Sequence, residues 1–396
     1  MKAVLVAPHF QPRTGGVETY VLNVGSGLVS LGWRVVVVTS GGLADTGPED
    51  GPSGMTIYRL PTSVTVSNTP IGLKWRRQLR AIFRAERPDV INGHMPVPYL
   101  ADAAERGRGE IPFMLTYHND LYKASVVQRA VVRVLHETMI DRTLRRSDGV
   151  IATSDVYAAS SPYLRKYSGK THVVPPGVDL ERFNPDVLVG PELADRYAGH
   201  RVILFVGSLN NSQRHKGLDT LIRAFVRLLS PHPDSRLVVV GDGDGLQGYK
   251  KMVADAGVGP SVEFTGHVSD DELPQYYKLA TALAMPSTDR SEGFGMVFVE
   301  AGAVGTPVVG SRIGGVPYAI KDEETGLLVE PNSVDALCQA LRALLEDQAL
   351  SARLGAAGAA RARAEFGWGP LTARTAELFR ELAAPAGSGS APESES

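Results

Sequence analysis

Apolar residues in this chain fall into short, compact runs separated by longer amphipathic stretches. In the first half the runs lie at 2–7, 34–39, 89–92, 113–116 and 149–152, and in the second at 201–206, 236–240, 261–265, 283–285 and 307–310. They are rich in Val, Ile and Leu and show little alternation, the pattern of strands buried on both faces. The segments between them, such as 17–31 and the stretch beginning near 218, carry helical periodicity. Strands regularly separated by helices predict a parallel, doubly wound sheet. Because the pattern restarts at 201, the chain is expected to form two Rossmann-like domains facing across a cleft, with ligands at the carboxyl ends of the strands. The Pro-rich stretch PPGVDLERFNP, 175–185, marks the join. The expected division is 1–178 for the N-terminal domain and 179–367 for the C-terminal domain. A helix over 368–384 would pack back across the joint, and the small, polar tail 385–396 is expected to be disordered.

Composition narrows the function classes. The 396 residues hold 41 Lys and Arg against 43 Asp and Glu, a net charge of −2, which supplies no general field for a polyanion, so nucleic acid is not expected as a partner. One cysteine, Cys338, excludes an internal disulfide and fits a reducing cytoplasm. The apolar run at the N-terminus soon meets His9 and Pro12, too broken for a signal sequence, and no stretch approaches the ~18–20 apolar residues of a membrane span. A cytoplasmic protein is expected, with peripheral contact at the inner membrane face as a further option. That option rests on two basic segments: 73–89, which includes Trp75 and Phe83, and the set Arg129, Arg133, Arg142, Arg145 and Arg146. Such segments are ordinarily solvated helix faces; the alternative is docking on anionic lipid.

The candidate chemistry concentrates in PSTDRSEGFGMVFVEAGAVGTPVVGSRIGGVP, 286–317. Glu292 and Glu300 are separated by seven residues, with Gly293 and Gly295 between them leading into a helix expected over 294–304. Amides at a helix start are unpaired donors at the positive end of the dipole and attract phosphate. Glu300 lies inside that helix and Glu292 in the loop before it, so the two carboxylates read either as partners of a ligand at the helix start, Glu300 accepting paired hydroxyls such as those of a ribose, or as ordinary solvated charges around an amphipathic helix. The GDGDG at 241–245 lacks the third glycine of a dinucleotide fingerprint, since residue 246 is Leu. Asp242 and Asp244 could hold Mg2+, but the segment reads as a turn after a strand.

The Pro286-Ser287 pair, the E-G-F-G loop, the E-A-x-A-x-G-x-P-V-V run and Gly314-Gly315 together resemble the donor site of family four glycosyltransferases, which have the GT-B fold. The resemblance spans nearly the whole chain and implies that the N-terminal domain, 1–178, binds the acceptor and the C-terminal domain, 179–367, the nucleotide sugar. It implies that Glu300 holds the nucleotide ribose, that Glu292, Gly293, Phe294 and Gly295 contact the donor sugar, and that Val297 lines the phosphate pocket. Lys216 matches the lysine of the family's K-G motif, stabilising the departing diphosphate. The arginine usual after the strand-ending glycine is replaced by Ser208, and Arg214 is the candidate substitute. Gly15-Gly16 matches the family's glycine loop, which makes Gly16 a donor contact. His118 in LTYHND matches a Thr-x-His motif that bonds the sugar. Val268, after Gly266-His267, meets the base through its backbone. His94, Asn119 and Asp120 are acceptor-side candidates. The implied reaction is retaining transfer of a hexosyl-type sugar from a nucleotide-diphosphate sugar to a hydroxyl of a small molecule, lipid or glycan, with His118, Lys216 and Glu292 as catalytic residues and neither metal nor cofactor. The alternatives are a sugar-nucleotide-processing GT-B enzyme such as an epimerase, and a non-catalytic sugar-nucleotide binder.

Overall fold

The computed structural model describes residues 1–13, 15–42, 47–66, 69–121 and 126–384, so the expected tail 385–396 and the Arg129 side chain lie outside the described residues. Two compact units are present. The first comprises Met1–Ala152, Ser161–Val174 and the chain from Gly369; the second comprises Thr153–Ser160 and Pro175–Trp368.

The first unit contains strands β1 (Lys2–Val6), β2 (Arg34–Gly42), β3 (Pro48–Asp50), β4 (Thr56–Pro61), β5 (Val64–Val66), β6 (Thr69–Ile71), β7 (Val90–Met95), β8 (Phe113–Tyr117), β9 (Gly149–Ala152) and β10 (Thr171–Val173). Eight of them form one sheet in the order β10-β9-β8-β7-β1-β2-β4-β3, while β5 and β6 pair as a separate hairpin. The large sheet is parallel except at its edge, where β3 runs antiparallel to β4. Parallel pairing needs a crossover, and the short, exposed Pro-Glu-Asp of β3 returns without one. β7 and β8, near the middle, are buried along their whole length although they carry Asn92, His94 and Thr116. Asn92 and Thr116 pair with each other: Asn92 Nδ2 donates to the Met114 carbonyl at 3.1 Å and to Thr116 Oγ1 at 2.9 Å. The helix Gly16–Ser30 buries Tyr20, Val21, Val24 and Leu28, an apolar stripe at helical spacing. The last helix, Trp368–Ala383, sets Phe379 edge-on to Trp33 with centroids 6.1 Å apart.

The second unit holds β11 (Arg201–Val206), β12 (Ser235–Val240), β13 (Val262–Gly266), β14 (Ala282–Met285), β15 (Val308–Ser311) and β16 (Leu327–Val329), in the order β13-β12-β11-β14-β15-β16. Every recorded pairing in this sheet is parallel. Helix Leu218–Leu229 follows β11 and buries Leu218, Leu221, Ile222, Phe225 and Leu228 at i, i+3, i+4, i+7 and i+10. Each such side chain contributes roughly 1.5–3 kcal/mol by leaving water, which anchors the helix and therefore the loop before it. The order of strands turns at β11, with β12 on one side and β14 on the other, the kind of switch point beside which α/β proteins bind ligands.

Candidate active site

Three chain segments meet at the carboxyl ends of β11 and β14. After β11, the loop ends at Gly217, whose backbone is left-handed (φ +76°) and whose Cβ, if present, would lie 2.0 Å from the Pro286 carbonyl oxygen. Only glycine fits that approach, and it holds the Lys216 loop against the start of the Pro286 loop. His215 is tied to the same loop, its carbonyl accepting from the Thr288 amide at 2.7 Å. Lys216 Nζ lies 3.1 Å from Glu292 Oε2 and 3.8 Å from Met285 Sδ at the end of β14. The side chains of this pair are 19% and 11% exposed, so it is sheltered yet reachable. His215 Nε2 is 3.9 Å from the same carboxylate. Burial lowers the His215 pKa, and the opposing attraction of Glu292 does not overcome it.

The Glu292 loop is pinned from the other side by Gly314 and Gly315. The Gly315 amide donates to the Glu292 carbonyl at 3.1 Å, and a Cβ on Gly315 would stand 1.9 Å from the Gly293 carbonyl oxygen. That carbonyl also accepts from Thr153 Oγ1 at 2.9 Å. The helix begins at Met296, two residues later than expected, because Gly295 is left-handed (φ +86°) and cannot join it. Phe294 turns its ring into the core, 5.7 Å from Phe366; what it offers the loop is backbone. The Phe298 amide turns back to the Gly295 carbonyl, while the amides of the first turn ahead of it have no partner within the helix. In that helix Glu300 Oε2 accepts from the Tyr277 hydroxyl at 2.7 Å. Burial raises the Glu300 pKa, opposed by the Tyr277 hydrogen bond and by the positive charges of Arg182 and Lys216. Lys216 thus interacts electrostatically with both glutamates, and Lys216, Glu292, Gly293, Gly295 and Glu300 form one cluster.

Arg214 belongs to a different set of contacts: it is exposed, with its guanidinium 5.8 Å from the Tyr249 ring centroid. Val268 is half-buried just beyond β13 and packs on the core. The GDGDG segment is a turn. Gly241 (φ +138°) approaches the Gly207 carbonyl, where a Cβ would sit 2.0 Å away, and Asp244 Oδ1 accepts from the Asn211 amide at 2.6 Å. Among the described residues there is no group of three or more His, Cys, Asp or Glu placed to hold a metal ion. Cys338 is half-buried and its thiol is pushed up by desolvation.

In the first unit, His94 and His118 lie at the carboxyl ends of β7 and β8, with His94 Nδ1 3.1 Å from His118 Nε2. Tyr20 packs edge-on to both rings. Burial lowers the His118 pKa to about 3 and the His94 pKa well below its usual value, where His118 adds to the effect. Both imidazoles are therefore neutral. Asp120 is buried and accepts from Tyr117 at 2.9 Å and Ser161 at 2.8 Å, whereas Asn119 beside it is half-buried. Gly16 opens its helix behind Gly15, over which the buried Glu18 carboxyl folds; a Cβ on Gly15 would meet Glu18 Oε2 at 2.6 Å. Sequence reading missed Tyr277, Arg182, Tyr20 and His215. The first three are remote in sequence from the groups they serve and carry no local motif, while His215 was legible only as the neighbour of Lys216.

Two Rossmann-like units in tandem, the second with a cation, an open helix start and a buried carboxylate gathered at its strand ends, define the GT-B class of nucleotide-sugar enzymes. Residues 14–182 match Glycosyltransferase Family 4, and residues 194–361 match Glycosyl transferases group 1. The chain is 30% identical over 400 residues to the GDP-mannose-dependent alpha-(1-6)-phosphatidylinositol monomannoside mannosyltransferase of Mycobacterium tuberculosis, covering 96% of this chain and 98% of the relative. It is 30% identical over 427 residues to a D-inositol 3-phosphate glycosyltransferase of Streptomyces scabiei, covering 96% and 90%. Among solved structures, sucrose-phosphate synthase of Thermosynechococcus elongatus superposes with a TM-score of 0.80 at 25% identity, covering 96% of this chain and 98% of that one. The chain belongs to glycosyltransferase family 4 and is a GT-B glycosyltransferase acting on a nucleotide-sugar donor.

Proposed function

We propose that this protein transfers a hexosyl group, with retention, from a nucleotide-diphosphate sugar to a hydroxyl acceptor. The observation that carries the reading is the Lys216–Glu292 contact of 3.1 Å beside the Met296–Ala303 helix start and the Tyr277-held Glu300. In this reading the amides of 295–297 and Lys216 receive the diphosphate, and Glu300 takes the ribose hydroxyls. Glu292, Gly293 and His118 bond the sugar, and the backbone at Val268 meets the base. Gly16 presents its amide to the donor from the start of its helix. The bond from the anomeric carbon to the phosphate oxygen breaks as the acceptor oxygen bonds the same face, and the acceptor proton passes to the leaving phosphate. Charge grows on the diphosphate as it departs, where preorganised donors stabilise it most. His94 and Asn119 belong to the acceptor side. Asp120, held by Tyr117 and Ser161, shapes that strand end. Arg214, stacked over Tyr249, is assigned to the surface beside the donor site.

The names of the two curated relatives make GDP-mannose the first donor to test and an inositol-bearing compound the first acceptor. A lipid acceptor is supported by the helix Trp75–Glu86, whose exposed residues include Arg76, Arg77, Arg80 and Arg84, flanked by Lys74 and Arg87. Next to it Leu73 is 87% exposed, and the β5–β6 hairpin exposes Val64 and Val66. Cations beside apolar tips suit an anionic membrane surface; among the described residues no helix is long and apolar enough to cross a membrane.

The test is thermal stabilisation by UDP-, GDP-, ADP- and TDP-sugars, followed by product analysis with the stabilising donor. A ligand at a hundredfold excess over its Kd stabilises by about 2.7 kcal/mol. At least one donor should raise the melting temperature, and a hydroxyl acceptor should then yield a glycoside of unchanged anomeric configuration. No response to any donor, or an inverted product, would overturn the proposal.

A further inference from the structure

The surroundings of the His94–His118 pair decide which nitrogen of His118 carries its proton. β7 and β8 run parallel, with His94 opposite Thr116, and the His118 amide donates to the Met95 carbonyl at 3.0 Å. This places the His118 ring alongside that of His94. The planes lie within 17° of each other, with centroids 5.4 Å apart and His94 Nδ1 3.1 Å from His118 Nε2. That is the arrangement of an in-plane hydrogen bond joining the rings end to end, and Tyr20 braces both from the side at 5.8 and 4.9 Å.

Two neutral imidazoles sharing one hydrogen bond have two possible proton arrangements. If His118 Nε2–H donated to His94 Nδ1, the proton of His94 would have to sit on Nε2. That atom is buried, in a residue with 0% exposure, and has no hydrogen-bond partner among the described residues. A buried N–H without an acceptor is rarer and more costly than an unfilled lone pair. With the direction reversed, His94 Nδ1–H donates to His118 Nε2 and only a lone pair is left unfilled at His94 Nε2. His118 then carries its proton on Nδ1. His118 is also the member of the pair that keeps some surface, 8%.

We infer that His94 is a positioning residue that fixes the tautomer of His118, so that His118 presents Nδ1–H as a donor to a hydroxyl oxygen of the transferred sugar. The last step rests on the proposed role of His118; the tautomer itself does not. A general base is thereby excluded at this position, because the nitrogen that could accept a proton is occupied by His94.

The test is long-range 1H–15N correlation NMR on the full chain labelled with 15N-histidine, with the pair assigned from H94N and H118N. His118 should show a pyrrole-type Nδ1 and a pyridine-type Nε2. Asparagine carries its amide near the place of Nδ1, so H94N should keep that pattern, and H94F should lose it. Kinetically, H94F should lower kcat about tenfold, the scale of one hydrogen bond, with the donor KM changed less than about twofold. H94N should recover most of that loss. A wild-type His118 protonated on Nε2, or an H94F that leaves tautomer and kcat unaltered, overturns the inference. H118F, which has no donor at that place, with wild-type kcat instead overturns the sugar-bonding role of His118 and with it the functional half of the inference, leaving the NMR result to judge the tautomer.

Discussion

Replacing Glu300 with Gln should weaken nucleotide-sugar binding by roughly 10- to 150-fold and flatten its pH dependence, because a hydrogen bond to a charged group is worth about 1.5–3 kcal/mol. The carboxyl is held by Tyr277 at 2.7 Å, and burial raises its pKa against the pull of Tyr277, Arg182 and Lys216. The raised value sets the sign of two effects. In the free protein, a carboxyl whose folded pKa exceeds its unfolded one contributes stability that is fully present below the unfolded pKa and lost as pH rises through the folded value. Ribose hydroxyls donate to the ionised form, so donor affinity moves the other way. It grows as pH rises through the Glu300 pKa, levels off above it, and falls up to about tenfold per unit below it. Tyr277→Phe removes a donor to the carboxylate, so the pKa should climb further and the affinity curve shift to higher pH. The assay is titration calorimetry with an intact nucleotide sugar between pH 5 and 8. The intact donor is the right probe because each of its phosphates carries one ester and one anhydride bond and so keeps no second ionisation, whereas a free terminal phosphate ionises at about pH 6 and would obscure the Glu300 step. An E300Q protein that binds as tightly as wild type, or one that keeps the wild-type pH curve, would refute the reasoning.

Lys216→Ala should lower kcat by about 10²–10³-fold, the range seen when one preorganised stabiliser of developing charge is removed, as measured with saturating donor. Arg214→Ala should change donor Kd by no more than about fivefold, the equivalent of the roughly 0.5–1 kcal/mol that an exposed cation–π contact is worth; calorimetry decides. Gly217→Ala should destabilise the second unit by at least about 1–3 kcal/mol through its left-handed backbone alone, with the approach to the Pro286 carbonyl adding to it; denaturant unfolding reads the loss. Binding to vesicles rich in anionic lipid should fall by about 1 kcal/mol for each of Arg76, Arg77 and Arg80 changed to Gln and vanish in 1 M salt, roughly a 3 Å screening length. Unchanged sedimentation of the triple variant would remove the membrane surface from the account.

Much of the fold was legible because the strands that make it are buried on both faces and read as plain apolar runs. The runs at 149–152 and 201–206 coincide with β9 and β11, and most others shift by a residue or two. Strands that escaped are those without such a run. β4 is only partly buried, β10 and β16 are three residues long, and β3, β5 and β6 are edge or hairpin strands lying in solvent or half in it. The donor-side cluster was legible because its chemistry sits in contiguous motifs whose glycines are demanded by close backbone approach, as at Gly217 and Gly315. What the sequence withheld is pairing at a distance. Tyr277 beneath Glu300, Tyr20 against His118, and the bond between His94 and His118 all depend on which strands and helices become neighbours. Phe294 shows the same limit in reverse: its place in the motif was clear, but only packing against Phe366 shows that its ring serves the core.

The most direct test is a crystal structure with an intact nucleotide-diphosphate sugar bound. The diphosphate should lie within hydrogen-bonding distance of Lys216 Nζ and the amides of 295–297, with both ribose hydroxyls on the Glu300 carboxylate. Density for the diphosphate at the Gly241–Gly245 turn, or a ribose that does not touch Glu300, would contradict it.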